Sequence, residues 1–383
     1  MRVLVLLLFG LCALPANGMS VYWGGVSFSD WTNRELNYPN LASMMCSGTC
    51  SGGHLNQWAL EALDQASFDY FDVSMDYING REIEGVIMTP MINAETVSAY
   101  QDVTGDQTSY IHVYRIYASV IFFEFGTKRF ISARPVVLQY TDTLPNEASE
   151  AEIKQNFRRL VEVGIAQSNL FTELFQKAKS TKPFTFSQKY ARISDLQVSD
   201  SALSALGSMD RVDVWADQVK RQFEAFLIDA TDAPLVPSMS TSEMTQEFVA
   251  TFADASVTIK MPEEVPFNIN VTVDNLRKIE QADRRQKTLC HAVALRLEID
   301  GLLSQIFNER LVRGRESCSV MTIDKQPDDG YYFTLSLLSL LKQASEQFGE
   351  TPNKDFIARA IPDNPKAHQN FVRAWESAFK PEL

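Results

Sequence analysis

The chain has 383 residues, of which 45% are hydrophobic and 22% are charged, a composition that excludes a wholly disordered or fibrous protein. Its formal net charge is −13 at pH 7. This charge argues against nucleic acid as a partner, because phosphate binding needs clustered Lys and Arg, and against electrostatic adhesion to anionic lipid. The length predicts more than one domain.

The N-terminus has the pattern of a secretory signal peptide. Arg2 precedes an apolar run from Val3 to Leu14, and small residues occupy positions −3 and −1 of a cleavage site after Gly18. The run is too short to span a bilayer, which takes roughly 20 residues. We therefore predict a signal peptide at residues 1–18, no transmembrane segment, and a periplasmic or secreted protein.

Helices and strands alternate through residues 19–180, which we predict to be a first α+β module. In chain order the patterns predict a strand at 21–28, a loop at 33–53, a helix near 55–63, one or two short strands between 68 and 91, a long hairpin, and helices at 147–163 and 170–178.

The long hairpin is the strongest β signal in the sequence. Residues 110–125 are almost all β-branched or aromatic, a turn follows at 126–128, and residues 129–141 return. The first of these strands is apolar on both faces, with Val120 and Phe122 on one face and Ile121 and Phe123 on the other. We therefore expect it to be covered on both sides.

A small basic linker at residues 179–182 marks a predicted boundary, followed by a second module at 181–350 and a helical tail at 351–383. The predicted elements of the second module are a strand at 190–198, a helix at 212–226, strands at 257–261 and 267–273, a long strand at 289–299 with a returning strand that begins near 308, and a helix at 331–348. The sequence thus predicts an α+β fold of two tandem mixed-sheet modules, with long central hairpins and helices packed on one side.

One segment of the second module resembles a known kind of domain. A predicted helix, the sequence DAPLVPS, the strands of SVTIKMPEEVPFNINVTV and a long hairpin follow one another between residues 212 and 313. This order is similar to that of α/β modules in bacterial envelope proteins, namely the N-terminal domain of TolB, the curli secretion lipoprotein and periplasmic flagellar-ring proteins. Residues 21–140 show a looser similarity. The resemblance implies a module that assembles or docks, and it carries over no catalytic residue.

Catalytic and cofactor motifs are missing from the sequence. None of the four histidines has the spacing of a zincin site, and there is no G-x-S-x-G elbow, P-loop or dinucleotide fingerprint. His112 and His291 lie in predicted strands and are expected to be buried. His54, beside two glycines, is the histidine we regard as a candidate for function. No catalytic residue, metal or cofactor is predicted.

An aromatic cluster near the mature N-terminus allows two interpretations. Trp23 and Trp31 could stack on a sugar or on the apolar surface of a partner, which with His54 would make a candidate binding surface. Far more often, such a cluster belongs to the first strand of a core.

The cysteines predict disulfides in an oxidising compartment. Cleavage removes Cys12 and leaves Cys46, Cys50, Cys290 and Cys318, an even number with three connectivities. Cys46 and Cys50 flank three residues of a predicted loop and can close a short ring. By elimination Cys290 would pair with Cys318, and we predict both bonds.

Two features of the hairpin that begins at residues 289–299 bear on the Cys290–Cys318 bond, one in its favour and one against it. A hairpin centred on residue 304 would set its two cysteines opposite each other, and Glu298 opposite Arg310 as a favourable charge pair. The Asp300-Gly301 dipeptide is a tight-turn signal that would centre the hairpin earlier and leave the second cysteine beyond reach.

The function predicted from these features is that of an exported, non-enzymatic structural or assembly component of a bacterial envelope machine. Its predicted partners are envelope or periplasmic proteins, and a homo-oligomer is compatible with the sequence. The alternatives are an exported hydrolase and a protein that binds a glycan or another small ligand.

Overall fold

The structure, a computed structural model, describes residues 20–31, 33–45, 55–75, 85–163, 169–183, 190–206, 211–237, 247–251, 256–262, 265–349 and 351–380. Three sequence predictions lie outside these residues: the signal peptide, the candidate residue His54, and the Cys46–Cys50 bond. Within the described residues, no helix combines the length and apolarity needed to cross a membrane.

The strands, in chain order, are β1 (Ser20–Trp23), β2 (Ser27–Phe28), β3 (Asp72–Ser74), β4 (Val86–Thr104), β5 (Gln107–Glu124), β6 (Arg129–Leu144), β7 (Ala191–Val198), β8 (Glu247–Thr251), β9 (Ser256–Lys260), β10 (Phe267–Ala282), β11 (Gln286–Asp300), β12 (Gln305–Arg313), β13 (Cys318–Thr322) and β14 (Lys325–Gln326). The helices are α1 (Arg34–Asn37), α2 (Pro39–Ala42), α3 (Leu55–Asp64), α4 (Glu150–Glu162), α5 (Leu170–Ala178), α6 (Asp200–Leu206), α7 (Val212–Thr231), α8 (Asp329–Glu346), α9 (Lys354–Ala360) and α10 (Ala367–Ala374), with a 3-10 turn at Arg315–Ser317 and a π-helix at Trp375–Phe379.

The first sheet has nine strands and is built around the predicted hairpin. Its order is β3-β1-β4-β5-β6-β9-β8, and β2 and β14 also pair with β4. Strands β4, β5 and β6 are antiparallel, whereas β1 is parallel to β3 and β4, and β6 is parallel to β9. The sheet is therefore mixed, with the hairpin β5–β6 near its middle.

Both faces of β5 are buried, as its sequence predicts. Val120 and Phe122 belong to a core formed with α3, α4 and α5. Ile121 and Phe123, on the opposite face, belong to a separate cluster with residues of β4, β6 and β9 and with Tyr190. The four side chains just named, on the two faces of β5, are all fully buried.

Strand β4 is much longer than the short strands predicted between residues 68 and 91. A β-bulge between Ile92 and Ala94 shifts its register with β5, so the alternation of inward and outward side chains changes phase within the strand. Asn93 and Asp102 are also buried in it. A strand with a broken alternation and buried polar residues lacks the period-2 pattern by which strands are predicted.

The predicted loop at 33–53 contains two four-residue helices, α1 and α2, so this prediction is wrong in part. Pro39 begins α2, a position that suits its fixed backbone angle. The carboxylate of Glu95 accepts hydrogen bonds of 2.8 Å from the backbone N–H groups of both Asn40 and Leu41. A residue distant in sequence thus holds the start of α2, which a local pattern cannot indicate.

The second sheet has five strands, with helices on one side. Its order is β12-β11-β10-β7, and β13 also pairs with β11. One face, which includes Val271 and Leu295, forms a core with α6, α7, α8, α9 and α10. The opposite face carries polar, partly exposed side chains such as Asn270 and Glu298. This sheet, together with the first, confirms the predicted α+β architecture of mixed sheets with long hairpins.

The hairpin β11–β12 differs in register from the predicted one. Glu298 lies opposite Asn308, and Arg310 lies opposite Arg296, so the predicted Glu298–Arg310 pair is wrong. The Asp300-Gly301 turn centres the hairpin one residue earlier than predicted.

The disulfide nevertheless joins Cys290 to Cys318. This pairing is possible because β12 ends at Arg313 and the 3-10 turn leads into a separate strand, β13, which sets Cys318 opposite Cys290 on β11.

The two sheets are interleaved in sequence. β8, β9 and β14 fall within the range predicted as the second module but pair within the first sheet. We therefore define the units by their sheets: the first unit is the nine-stranded sheet with α1–α5, and the second unit is the five-stranded sheet with α6–α10.

Candidate functional site at the junction of the two units

The two tryptophans of the candidate binding surface pack against the core of the first unit. Trp23 is half-buried, and its ring lies edge-on to Phe175 with centroids 6.0 Å apart. Trp31 is also half-buried, with the guanidinium of Arg34 4.5 Å from its ring centroid. Each ring has its own partners, and the two tryptophans form no common platform among the described residues.

A layer of mainly polar side chains, some buried and others partly or fully exposed, lies between the two units, and we call it the seam. Helix α7 buries Trp215, Val219 and Phe223 in the second core and turns Gln218 and Arg221 toward the first sheet. Strands β4, β5 and β6 supply the opposite side. The seam consists of Ser98, Tyr100, Asp102, Arg115, Tyr117, Gln139, Gln218, Arg221, Lys325, Asp328 and Tyr331.

Arg115, on β5, lies at the centre of the seam and is only 3% exposed. Its Nε donates to Oε1 of Gln139 at 2.8 Å, and its Nη1 donates to Oε1 of Gln218 at 3.4 Å. The Tyr117 hydroxyl donates to the backbone carbonyl of Gln218 at 3.4 Å. Burial raises the pKa of Tyr117 to about 12, so the phenol is neutral at physiological pH.

A second buried cation of the seam is neutralised within its own helix. Arg221 is 3% exposed, and its Nε lies 2.8 Å from Oδ2 of Asp217, one turn earlier on α7. Burial acts to lower the pKa of Arg221, but the charge and hydrogen bond of Asp217 raise it above the ordinary value. Arg221 is therefore a permanently charged member of an ion pair.

The start of α8 is anchored to the first sheet. Asp328 caps the helix by accepting a hydrogen bond from the N–H of Tyr331 at 3.0 Å, and its own N–H donates to Asp102 at 3.0 Å. The second oxygen of Asp102 lies 3.1 Å from Nζ of Lys325, whose strand β14 pairs with β4. This hydrogen bond raises the pKa of Lys325. Backbone pairing and charge thus fasten α8 to β4.

An Asp–His pair lies beside this anchor. His291 is 1% exposed, as its place in a strand predicts, and its Nε2 lies 2.8 Å from Oδ1 of Asp329. Nζ of Lys278 lies 2.9 Å from the other oxygen, and the ring of Tyr332 stacks on the imidazole at 5.2 Å. Pairs of this type orient a catalytic imidazole in hydrolases. Here the imidazole is closed off from solvent. Asp329 on α8 instead links two strands to the helix, β11 through His291 and β10 through Lys278.

We expect Asp329→Asn to lower the free energy of unfolding at pH 7. Burial acts to raise the pKa of Asp329, but hydrogen bonds from His291 and Lys278 bring it below the ordinary value of 3.8. A carboxylate with a lowered folded pKa contributes stability above its unfolded pKa, and this contribution is lost as the pH falls through the folded value. Urea denaturation at pH 7 and about pH 3 measures the effect. An equal difference between variant and wild type at both pH values would contradict the expectation.

The end of the second sheet carries two adjacent exposed leucines, which we call the leucine tip. Leu302 is 71% exposed and Leu303 is 99% exposed, in the turn between β11 and β12. The N–H of Gly301 donates to the carbonyl of Ser304 at 2.9 Å and closes this turn. Turns of this kind usually carry Gly, Asn, Asp or Ser. Leu36, on α1, is 81% exposed but has no second exposed leucine beside it.

No protein-family model matches the chain, and a search of curated proteins finds no match. The resemblance of residues 212–313 to envelope modules therefore stays a prediction.

Proposed function

We propose that this protein is an exported, non-enzymatic structural or assembly component of a bacterial cell envelope that docks a protein partner through its leucine tip. The observation that carries the proposal is the exposure of Leu302 and Leu303 at a closed turn. Burying one leucine side chain contributes about 1.5–3 kcal/mol. A partner that covers both would gain that free energy with little loss of chain entropy, because the turn is already ordered.

The chemistry around the tip favours a protein pocket over a lipid surface. Asp300 borders the turn, and Glu298 lies two residues further along the same strand. Carboxylates on an acidic chain repel anionic lipid headgroups. A convex tip fits a concave apolar pocket, whose rim would carry neutral or basic side chains opposite Asp300.

Export is supported by two features. The N-terminal sequence has the pattern of a signal peptide, and Cys290 and Cys318 form a disulfide, a bond that persists in oxidising compartments. The compartment proposed is the periplasm or the external medium.

The alternatives have less support from the described residues. A hydrolase needs an acid–base pair that reaches substrate, whereas His291 is 1% exposed. A glycan site on the aromatic cluster needs exposed rings, whereas Trp23 and Trp31 pack against the first core.

Leu302→Ser/Leu303→Ser should weaken partner binding and leave folding unchanged. Both side chains are exposed, so the free energy of unfolding should change by less than about 0.5 kcal/mol. The tagged full-length protein is crosslinked in cells and purified together with any exported protein that it captures. That exported protein is then purified by itself, and its binding to the wild type and to the double variant is measured in vitro. We expect the double variant to bind at least about tenfold more weakly than wild type, the loss of roughly 1.4 kcal/mol.

Leu36→Ser is the matched control, since it removes a leucine of intermediate exposure between the two tip leucines from the first unit, and this variant should bind like wild type. If the chain binds a second copy of itself, the same crosslinking experiment would detect a crosslinked homodimer. A wild-type protein that is a compact monomer without a crosslinked envelope partner would contradict the proposal, as would unchanged binding by the double variant.

A further inference from the structure

Strand β13 pairs on one of its two sides among the described residues. It lies against β11, with Cys318 opposite Cys290 and Val320 opposite Thr288. No other strand or backbone group in the described part of the chain pairs with it. The side of β13 away from β11 is therefore an open sheet edge.

Alternate residues of β13 direct their backbone groups out of this edge. The Cα atoms of Cys290 and Cys318 are 3.9 Å apart, the close spacing of opposed residues that exchange no backbone hydrogen bonds. The pattern alternates along an antiparallel strand, and the N–H of Ile323 donates to the carbonyl of Arg285, directly before β11, at 3.1 Å. The N–H and C=O groups that point away from β11 are therefore those of Cys318, Val320 and Thr322.

This edge lacks the features by which proteins prevent strand pairing. β13 contains no charged residue and no proline, and Val320 at its middle is 67% exposed. The strands at the ends of the two sheets all carry charge, with Asp72 in β3, Glu247 in β8, Asp195 in β7 and Arg310 in β12. A further strand would meet neither a charge nor a proline along β13.

We infer that β13 is a dimer interface, which pairs antiparallel with β13 of a second copy of the chain. A twofold axis at Val320 sets this residue opposite itself and sets Cys318 opposite Thr322. In this register each pair exchanges both of its N–H···O bonds. Every outward group of both strands is then used, the two exposed valines cover each other, and the second sheets of the two copies become continuous.

The length of the edge favours a second copy over a longer strand from another protein. The 3-10 turn at Arg315–Ser317 precedes β13 and a turn at residues 323–324 follows it, so the open edge is five residues long. Glu316 and Asp324 lie beyond its two ends, where a longer strand would pass a carboxylate. A second β13 has the same length, and its chain turns away at the same points.

This inference does not rest on the leucine tip. β13 pairs with residues 286–290 at the start of β11, whereas the tip lies beyond the other end of that strand. A dimer through β13 therefore leaves both leucine tips free.

Sedimentation velocity of the full-length protein over a range of concentrations tests the interface. We expect a reversible equilibrium between monomer and dimer, because the contact is small. Val320→Pro removes the outward N–H at the centre and disturbs no bond to β11, since an edge strand accepts proline where its N–H faces solvent. Each dimer loses two hydrogen bonds in this variant, so its Kd should rise at least about tenfold.

Val320→Thr is the matched control, because it keeps the N–H and a β-branched side chain. It should dimerise with a Kd within about threefold of wild type. Leu302→Ser/Leu303→Ser should also dimerise like wild type. A wild-type protein that stays monomeric up to about 100 μM, whether or not β13 takes up a strand of another protein, would overturn the inference. An unchanged Kd in Val320→Pro, or a dimer lost with the two leucines, would overturn it as well.

A cysteine at the twofold axis checks the register and covers the case in which Val320→Pro does not fold. The Cα atoms of a hydrogen-bonded pair lie about 5.5 Å apart, within the range of a disulfide. Val320→Cys should therefore form a covalent dimer on mild oxidation. Ile323→Cys, also at an exposed position, should not, because positions 323 of the two copies lie about 20 Å apart along the strands. No covalent dimer from Val320→Cys, or as much from Ile323→Cys, would contradict pairing through β13.

Discussion

Val120→Asp should unfold the first unit, with a loss of at least about 3 kcal/mol in the free energy of unfolding. Val120 is fully buried in β5, where it lies between Pro90 of β4 and Arg134 of β6. Both faces of this strand are covered, so the new carboxylate has no route to water. We expect a lower Tm by circular dichroism and a reduced yield of secreted protein.

Val320→Asp is the matched control for this variant. Val320 also lies in a strand, β13, but is 67% exposed, so the same substitution should change stability by no more than about 0.5 kcal/mol. Wild-type melting and secretion of Val120→Asp would show that β5 is not the buried centre of the first sheet.

Cys290→Ala/Cys318→Ala should lower the free energy of unfolding by about 3 kcal/mol. The bond links residues separated by 28 positions, and loop closure of that size stabilises the folded state chiefly by restricting the unfolded chain. The closed loop contains most of β11, the leucine tip and β12. The disulfide therefore also restrains the hairpin that presents Leu302 and Leu303.

Guanidinium denaturation of the double variant, beside the wild type without reductant, measures this loss. The double variant leaves the other cysteines unchanged, which treatment with a reductant would not. Peptide mapping of the wild type without reductant checks the connectivity. A Cys46–Cys290 peptide, or freely alkylated Cys290 and Cys318, would refute the pairing.

Some of the fold follows from local sequence patterns. The long run of β-branched and aromatic residues predicts β5, and the apolar character of both its faces predicts cover on both sides. Helix α5 begins and ends at the predicted residues, because its apolar spacing is regular and Asn169 caps its start. These features depend on neighbours in sequence, which a single chain displays.

Other features depend on residues distant in sequence. The bulge in β4 removes its alternation, and α2 is held by Glu95, which lies on the same strand more than 50 residues later in the chain. The return of β8, β9 and β14 to the first sheet has no local signal.

The seam was not predicted for the same reason. Gln218 and Arg221 occupy the polar side of an amphipathic helix, a side that is usually solvated. Only the packing of α7 against the first sheet buries them. Arg115 offers a partial signal, since it is a lone cation in an apolar strand. The leucine tip could also have been noticed, because Leu302 and Leu303 directly follow a predicted turn.

Site-specific photo-crosslinking in cells tests the proposed docking function most directly. A photoreactive phenylalanine derivative replaces Leu303 in one strain and Leu36 in another, so that two highly exposed positions on different units are compared. We predict a discrete adduct with one exported protein from position 303 and none from position 36. No adduct at either position, or the same adducts at both, would contradict docking through the leucine tip.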